Sequence, residues 1–441
     1  MLVTLMLDKI KNLKDSVKDT VAAKTGKGKK DEDQYLVALD IGTEFVKALI
    51  GRIADDGIDI VGVGRVHQEL SDMQAGAIAD IQSVVNNCDK ALSEAEEQAG
   101  VSTKSAVIGI AGELVKGTTT TVRCKRKNHD KELDIAEVEK IIGLVQQRAR
   151  ERAKQQLAWE LGGKDVEIRL VNSALVNIEI DGYPVTSPVG FKGKEIVVQL
   201  YTAFAPMIHI GALERTAKEL DLDLLAVAAE PFAVARSVIG DDSNASMSAI
   251  LMDVGGGTTD IAVINDGGVQ GTKMFGIGGR AYTRSVEKDL GVSFAAAEEL
   301  KLGLSNGKLA ESKRPVVEKS LRKTLDVWTA GVELALAEFT QLDHLPRRIL
   351  LCGGGSSLDM LMHQLESSNW YADLPFTRKP VVQHIKPSHV VGIDDQTGTV
   401  TDHTFITAMG LLRVGLDTLQ QGRNSSEDGS FRQKIDKILR V

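Results

Sequence analysis

Three cysteines in 441 residues, Cys88, Cys124 and Cys352, match no zinc or redox spacing and predict free thiols in a reducing compartment. No run approaches the roughly 18 apolar residues that a membrane-spanning helix needs. The apolar stretch at residues 1–7 precedes the first lysines instead of following them, and no small-residue cleavage site closes it. A signal peptide is therefore not expected, and a cytosolic protein is, unless one end of the chain holds it to a surface. Positive charge is in deficit: 53 Lys and Arg stand against 61 Asp and Glu, a net charge of −8. That balance argues against a dedicated nucleic-acid binder. Neither a P-loop lysine motif nor a Rossmann glycine fingerprint occurs at a strand–helix junction.

What is present fits a soluble α/β protein. Hydrophobic residues make up 43% of the chain, and its length suggests two to four domains or subdomains at about 100–200 residues each. The charge is unevenly spread. Residues 1–30 carry +5 and residues 430–441 carry +3, so the body between them carries −16. In the arm, residues 1–34, Val3, Met6, Ile10, Leu13, Val17 and Val21 recur at helical spacing, with Lys9, Lys11, Lys14 and Lys18 off that stripe. The stripe suits a helix packed on its own domain, a two-stranded coil, or a membrane-surface helix, and the spacing does not choose among them. At the other end, a polar linker at 421–429 precedes Phe431, Ile435, Ile438 and Leu439, an apolar stripe flanked by Arg432, Lys434, Lys437 and Arg440. This is the pattern of an amphipathic helix for anionic headgroups, set against the alternative of a helix docked on its own body.

Between the ends, strands are expected at 35–39, 44–53, 106–110, 118–124, 166–171, 174–180, 195–204, 224–228, 249–253, 259–265 and 348–352. Helices are expected at 69–100 with a cap near Ser71-Asp72, and at 134–159, 209–220, 232–239 and from 358. Residues 35–104 and 206–240 read as one subdomain interrupted by a small α+β insertion at 105–205, and 241–420 as a second half.

One internal similarity organises this pattern. Leu36-Val-Ala-Leu-Asp40-Ile-Gly42 and Ala249-Ile-Leu-Met-Asp253-Val-Gly255 each end a strand that turns into another, which suggests duplicated halves facing one another. Gly255, Gly256 and Gly257 carry no side chain to block a phosphate, so their N–H groups can converge on an anion as a nest. Thr258 and Thr259 add hydroxyls, as Thr43 does beside Gly42. Asp40 and Asp253 would repel a bare phosphate, but each can hold the waters of a Mg²⁺ ion. A lone Asp-Ile-Gly-Thr is usually only a turn; its pairing with Asp-Val-Gly-Gly-Gly-Thr-Thr-Asp is the informative signal. A third element, Gly353, Gly354, Gly355 and Ser356 after the strand at 348–352, suits an anion or a ribose edge, with Ser356 or Ser357 as cap of the next helix.

These three elements, in this order, resemble the actin and Hsp70-like ATPase superfamily, and within it the bacterial FtsA family of division proteins. Ile110-Ala-Gly-Glu113, Ser187-Pro-Val-Gly-Phe-Lys-Gly193, Gly278-Gly279 with Thr283, Ala297-Glu-Glu-Leu-Lys301 and Thr407-Ala-Met-Gly-Leu-Leu412 carry the likeness, which runs over roughly 36–441. The resemblance implies an actin-like (ribonuclease H-like, duplicated) α/β fold and ATP with Mg²⁺ as cofactors. It implies that Gly278, Gly279, Glu298 and Lys301 lie near the nucleotide. It also places Glu230 where relatives orient the attacking water, either as general base or merely as the acid that starts a helix. Hydrolysis in such proteins is feeble, and nucleotide mainly controls conformation and polymerisation. The implied partners are further copies of the chain, an anionic inner-membrane face at the division site, and the tubulin-like division protein FtsZ. Two departures stand out: the stretch 303–328, where FtsZ would dock, looks short, and the N-terminal arm is an addition. The rivals are a PilM-like pilus-assembly ATPase, which shares the fold, and a sugar-kinase-type phosphotransferase, for which no substrate-binding aspartate is evident.

Overall fold

The computed structural model describes residues 34–54, 57–239 and 247–423. The arm at 1–33 and the tail at 424–441, with the amphipathic stripes read in both, lie outside the described residues.

Each half is built the same way. In the first, β1 (Tyr35–Ile41), β2 (Phe45–Ala54) and β3 (Gly57–His67) form an antiparallel meander, and β6 (Ser105–Ile110) and β11 (Asp223–Ala229) add in parallel beyond β1. The strand order is β11-β6-β1-β2-β3, closed at the far edge by β17 (Ile393–Asp395). In the second, β12 (Ala249–Val254), β13 (Thr259–Asn265) and β14 (Gly268–Phe275) repeat the meander. Strands β15 (Arg348–Cys352) and β16 (Val381–His384) repeat the parallel additions, giving β16-β15-β12-β13-β14. The duplication inferred from two hairpins thus extends to five strands in each half.

The inserted part is a sheet of β7 (Lys116–Lys125), β10 (Glu195–Pro206), β8 (Ile168–Ile180) and β9 (Tyr183–Pro184), covered by α2 (Ile135–Glu160). It has a core of its own around Val122, Ile142, Val145, Ile178 and Val198. Strand β6, read from sequence as part of this insertion, lies instead between β1 and β11 in the first half. Strand β7 pairs with β14 at Gly271↔Thr118 and Thr272↔Gly117, so the inserted sheet continues the sheet of the second half.

Helices α1 (Ile81–Ala99), α3 (Met207–Glu219), α4 (Glu230–Ile239) and α9 (Ile406–Arg423) pack on the first half, whose core joins Leu39, Ile50, Cys88, Ala233 and Leu411. Helices α5 (Gly279–Leu290), α6 (Phe294–Ser305), α7 (Arg314–Ala337) and α8 (Asp359–Ser367) surround the second, centred on the fully buried Trp328.

Three expectations need correction. The helix expected at 69–100 starts at Ile81, capped by Asp80, whose Oδ1 accepts from Gln82 N and Ser83 N at 3.0 and 3.2 Å. Ala75 and Gly76 have positive φ, which ends any helix there, and β4 (Met73–Gln74) and β5 (Ala77–Ile78) form a small hairpin instead. Asp72 caps nothing in α1; it accepts from Glu69 N and from Asn87 Nδ2, both at 2.9 Å. Finally, the two strands expected at 166–171 and 174–180 are one, β8. At its polar centre Asn172 Oδ1 accepts from Ala229 N at 2.7 Å, while the neighbouring Ser173 hydroxyl is buried without a partner. The three cysteines are free thiols, as expected.

Candidate functional site

Both hairpin turns lie at the seam between the halves and they touch. A Cβ placed on Gly257 would stand 2.7 Å from Thr43 Oγ1, and one on Gly256 would stand 2.9 Å from Glu44 Cβ. Only glycine allows this approach. The first turn is held by Gly42 N, which donates to Phe45 O at 3.1 Å, and by the buried Gln68, whose Nε2 donates to Gly42 O at 2.6 Å. In the second, Gly279 N and Arg280 N donate to the carbonyls of Gly255 and Gly256 at 2.9 and 2.8 Å. In a trans peptide the next N–H points opposite to the carbonyl, so the amides of Gly256 and Gly257 face away from α5. They are thereby turned to the side on which an anion nest would need them.

Four carboxylates converge on the floor beneath the turns. Asp40 is the next-to-last residue of β1 and Asp253 of β12. Asp260 faces Asp253 across the β12–β13 pair, and Glu230 opens α4. All four are buried, and Lys47 is the cation that meets them, its Nζ 2.8 Å from Asp40 Oδ2. The β1–β2 register sets that pair, since Asp40 stands opposite Lys47. Burial works against the Lys47 charge, but Asp40 and then Asp253 raise its pKa above the ordinary lysine value. Burial pushes Glu230 well above the ordinary carboxyl range, with Asp40, Asp260 and Asp253 adding to it and Lys47 opposing. Asp260 is likewise pushed well up by burial and by Asp253, against a 3.0 Å hydrogen bond that Thr258 Oγ1 donates to its Oδ2. Its Oδ1 is buried without a partner. Asp253 is raised by burial and by Asp40, while Lys47 and a hydrogen bond from Thr407 Oγ1 act the other way.

The floor therefore gathers more carboxyl groups than Lys47, the one cation that meets it among the described residues, can offset. The orphaned Asp260 oxygen faces the same deficit. A hydrated Mg²⁺ fits this chemistry, because carboxylates hold the waters it keeps. Among the described residues no three His, Cys, Asp or Glu side chains converge closely enough to ligate a metal directly.

The charge deficit has a measurable sign. Folding raises the Glu230 carboxyl above its ordinary value of 4.5, so between those two values the folded chain holds the proton more tightly than the unfolded chain. Stability contributed by this group is present at low pH and lost as pH rises through that window. Glu230→Gln should accordingly raise the melting temperature at pH 7, on the order of 2 °C for each kcal/mol relieved. The gain should disappear at pH 4, as a pair of thermal melts would show.

The third glycine element closes on the second. Gly353 has φ +80°, and a Cβ there would lie 2.0 Å from Asp253 Oδ1; a Cβ on Gly355 would lie 2.8 Å from Gly255 O. Gly354–Ser357 form a 3₁₀ turn, not a cap. Ser356 Oγ donates back to Gly353 O at 2.7 Å, Ser357 Oγ lies 3.1 Å from His403 Nε2, and α8 starts only at Asp359 with no side-chain cap. Lys301 is buried and commits its three donors internally. It meets Glu298 Oε2 at 2.7 Å, Thr283 Oγ1 at 2.9 Å and Gly279 O at 3.2 Å. Glu298 and Lys301 thus brace α6 against the start of α5, behind Gly278 and Gly279. Thr259 Oγ1 is also engaged, donating to Ile277 O and accepting from Trp328 Nε1.

Sequence reading missed Lys47, Asp260 and Thr407. The first two were recoverable, because an antiparallel hairpin closed at Gly42 or Gly255–Gly257 puts Lys47 opposite Asp40 and Asp260 opposite Asp253. Thr407 arrives from a distant helix. The stripe at Phe431, Ile435, Ile438 and Leu439 and the cations Arg432, Lys434, Lys437 and Arg440 lie outside the described residues. No described helix is long and apolar enough to cross a membrane.

Two halves of matching strand order, each presenting an aspartate-ended hairpin to the other, define an actin-like α/β fold. The solved structure of a PilM-PilN type IV pilus biogenesis complex shares it, with a TM-score of 0.62 over 86% of this chain and 98% of that one. At 15% identity that likeness speaks for the fold alone. In sequence the chain is similar to FtsA. The family model described as "Cell division protein FtsA" matches residues 250–410. FtsA of Pseudomonas aeruginosa is 25% identical, covering 90% of this chain and 93% of its own length. FtsA of Escherichia coli K12 is 26% identical, covering 93% and 99%. The resemblance read from the motifs is thus met by the family model and by these relatives, and the fold they accompany is actin-like.

Proposed function

We propose that the chain binds Mg²⁺-ATP between its halves and uses the nucleotide to control assembly into filaments. The observation that carries this reading is the floor of four buried carboxyl groups under two touching glycine turns, with Lys47 their single cationic partner among the described residues. Gly255, Gly256, Gly257 and Thr258 would hold the phosphates from one side, and Gly42 and Thr43 from the other. Asp40 and Asp253 would anchor the metal through its waters, and Asp260 supplies a further oxygen. The metal would neutralise developing phosphate charge. Gly353–Ser356 and the Glu298–Lys301 brace would flank the nucleoside. Glu230 would be the general base of this scheme, and a pKa raised by burial and by Asp40, Asp260 and Asp253 would make it a poor proton acceptor and hydrolysis slow.

The assembled protein would sit on the cytoplasmic face of the inner membrane at the division site and tether the FtsZ ring. The FtsA likeness, the cationic stripes of the two ends and the acidic body support this placement. FtsZ docking has the weakest support, because only residues 306–313 separate α6 from α7 where the family's fourth subdomain is expected. A C-terminal FtsZ peptide sedimented with the full-length protein on anionic liposomes tests it. ATP-dependent co-sedimentation is expected; peptide left in the supernatant while the protein pellets would remove FtsZ from the proposal.

A further inference from the structure

The segment 276–280, which leads from β14 into α5, belongs to the second half, yet carboxylates grip both of its ends: Glu44 of the first half and Glu113 on the link that leaves β6 of the first half for β7. At one end Gly276 N donates to Glu113 Oε1 at 2.6 Å. At the other, Arg280 Nε donates to Glu44 Oε2 at 2.6 Å, and the same guanidinium reaches the carbonyls of Gln68 and Glu69 at 3.4 and 3.5 Å. Glu44 is itself tied to the first half twice: its Oε1 lies 2.8 Å from His67 Nε2, and its carbonyl accepts from Gln68 N at 2.9 Å. The Arg280 side chain is 11% exposed and that of Glu44 25%, so the pair is screened less than an open surface bridge.

This segment is also wired to the glycine turn. Gly279 N and Arg280 N hold the carbonyls of Gly255 and Gly256, and those same peptide planes aim the amides of Gly256 and Gly257. Moving the segment therefore turns the anion nest.

We propose that Glu44 and Glu113 form a two-point latch on this strap, holding the halves together without ligand. The halves part only when both contacts break. Separation would leave Glu44 with His67 and would turn the Gly256 and Gly257 amides out of register, so one movement opens the cleft and loosens the phosphate grip. The latch rests on the nucleotide reading only for what passes through the cleft.

The test is a spin-label distance measurement on the ligand-free full-length chain. Labels replace the exposed Lys90 on α1 and Lys319 on α7, in a Cys124→Ser background. The parent should give one narrow distribution, and Glu44→Ala/Glu113→Ala should add a longer component. Arg280→Gln serves as a second variant should the double variant not fold, with the same broadening expected. Distributions identical to the parent in the folded variants would overturn the latch. Adding Mg²⁺-ATP should narrow the variant again and, with a fluorescent ATP analogue, reveal dissociation roughly tenfold faster than in the parent, the effect of losing a charge-assisted hydrogen bond. If no variant responds to ATP while the ligand-free broadening persists, the nucleotide reading fails and the latch stands.

Discussion

Asp253→Ala should weaken Mg²⁺-ATP binding by about 10–100-fold, the usual cost of removing a carboxylate that orients a metal's own ligands. The fold should scarcely notice. Losing the hydrogen bond from Thr407 Oγ1 costs about 1 kcal/mol, but removing a buried carboxyl whose charge burial and Asp40 disfavour offsets it. The combination is diagnostic. A residue that merely packs would lower stability and leave affinity alone, whereas a cation anchor does the reverse. ATP titrations in excess Mg²⁺, run beside thermal melts, give both numbers. Unchanged affinity would mean that Asp253 is a buried structural acid and that the clamp lies elsewhere.

Removing residues 430–441 should have the next largest effect, on membrane partition. The segment carries +3, and each basic residue near an anionic surface contributes about 1 kcal/mol, so a monomer should lose roughly 100-fold in binding to phosphatidylserine-containing vesicles. The arm at 1–30 carries +5 and can substitute. Both single deletions and the double are therefore needed, and only the double should abolish binding. Filaments present many copies, so ATP should sharpen the difference through avidity. The attachment, being electrostatic in part, should weaken as salt rises. Full binding by the double deletion would show that the acidic body reaches the membrane by another route.

The parts of the structure that were legible in the sequence share a cause. The hairpins β1–β2 and β12–β13 are continuous apolar runs broken by a glycine turn, and they were placed within a residue or two. Strands β3 and β14 went unread because Gly57, Gly62 and Gly64, and Gly268 and Gly271, look like turn signals. In the folded chain the β3 glycines at 62 and 64 lie directly under α1, where a Cβ would meet Ala95 O and Ala91 O at 2.1 and 1.8 Å. Glycine there reports close packing, not a turn. The converse holds at 69–100, where a helical pattern runs through Gly76 but the positive φ of Ala75 and Gly76 makes a turn.

The site divides in the same way. Asp40, Asp253 and the three glycine turns are local motifs and could be read directly. Lys47 and Asp260 follow from the hairpin register once it is counted. The Glu44–Arg280 contact spans 236 positions and follows from no local pattern, since it depends on how two halves meet. Ser356 and Ser357 cap no helix because a strand–glycine–serine sequence fits a 3₁₀ turn as well as a helix start.

Calorimetric titration of the full-length wild-type chain with ATP, once in Mg²⁺ and once in EDTA, tests the central claim most directly. The carboxylate floor predicts one site per chain that is strong with Mg²⁺ and nearly lost without it, because ATP alone would add negative charge to a floor that already has too much. Equal affinity in both buffers, or no binding in either, would contradict the account.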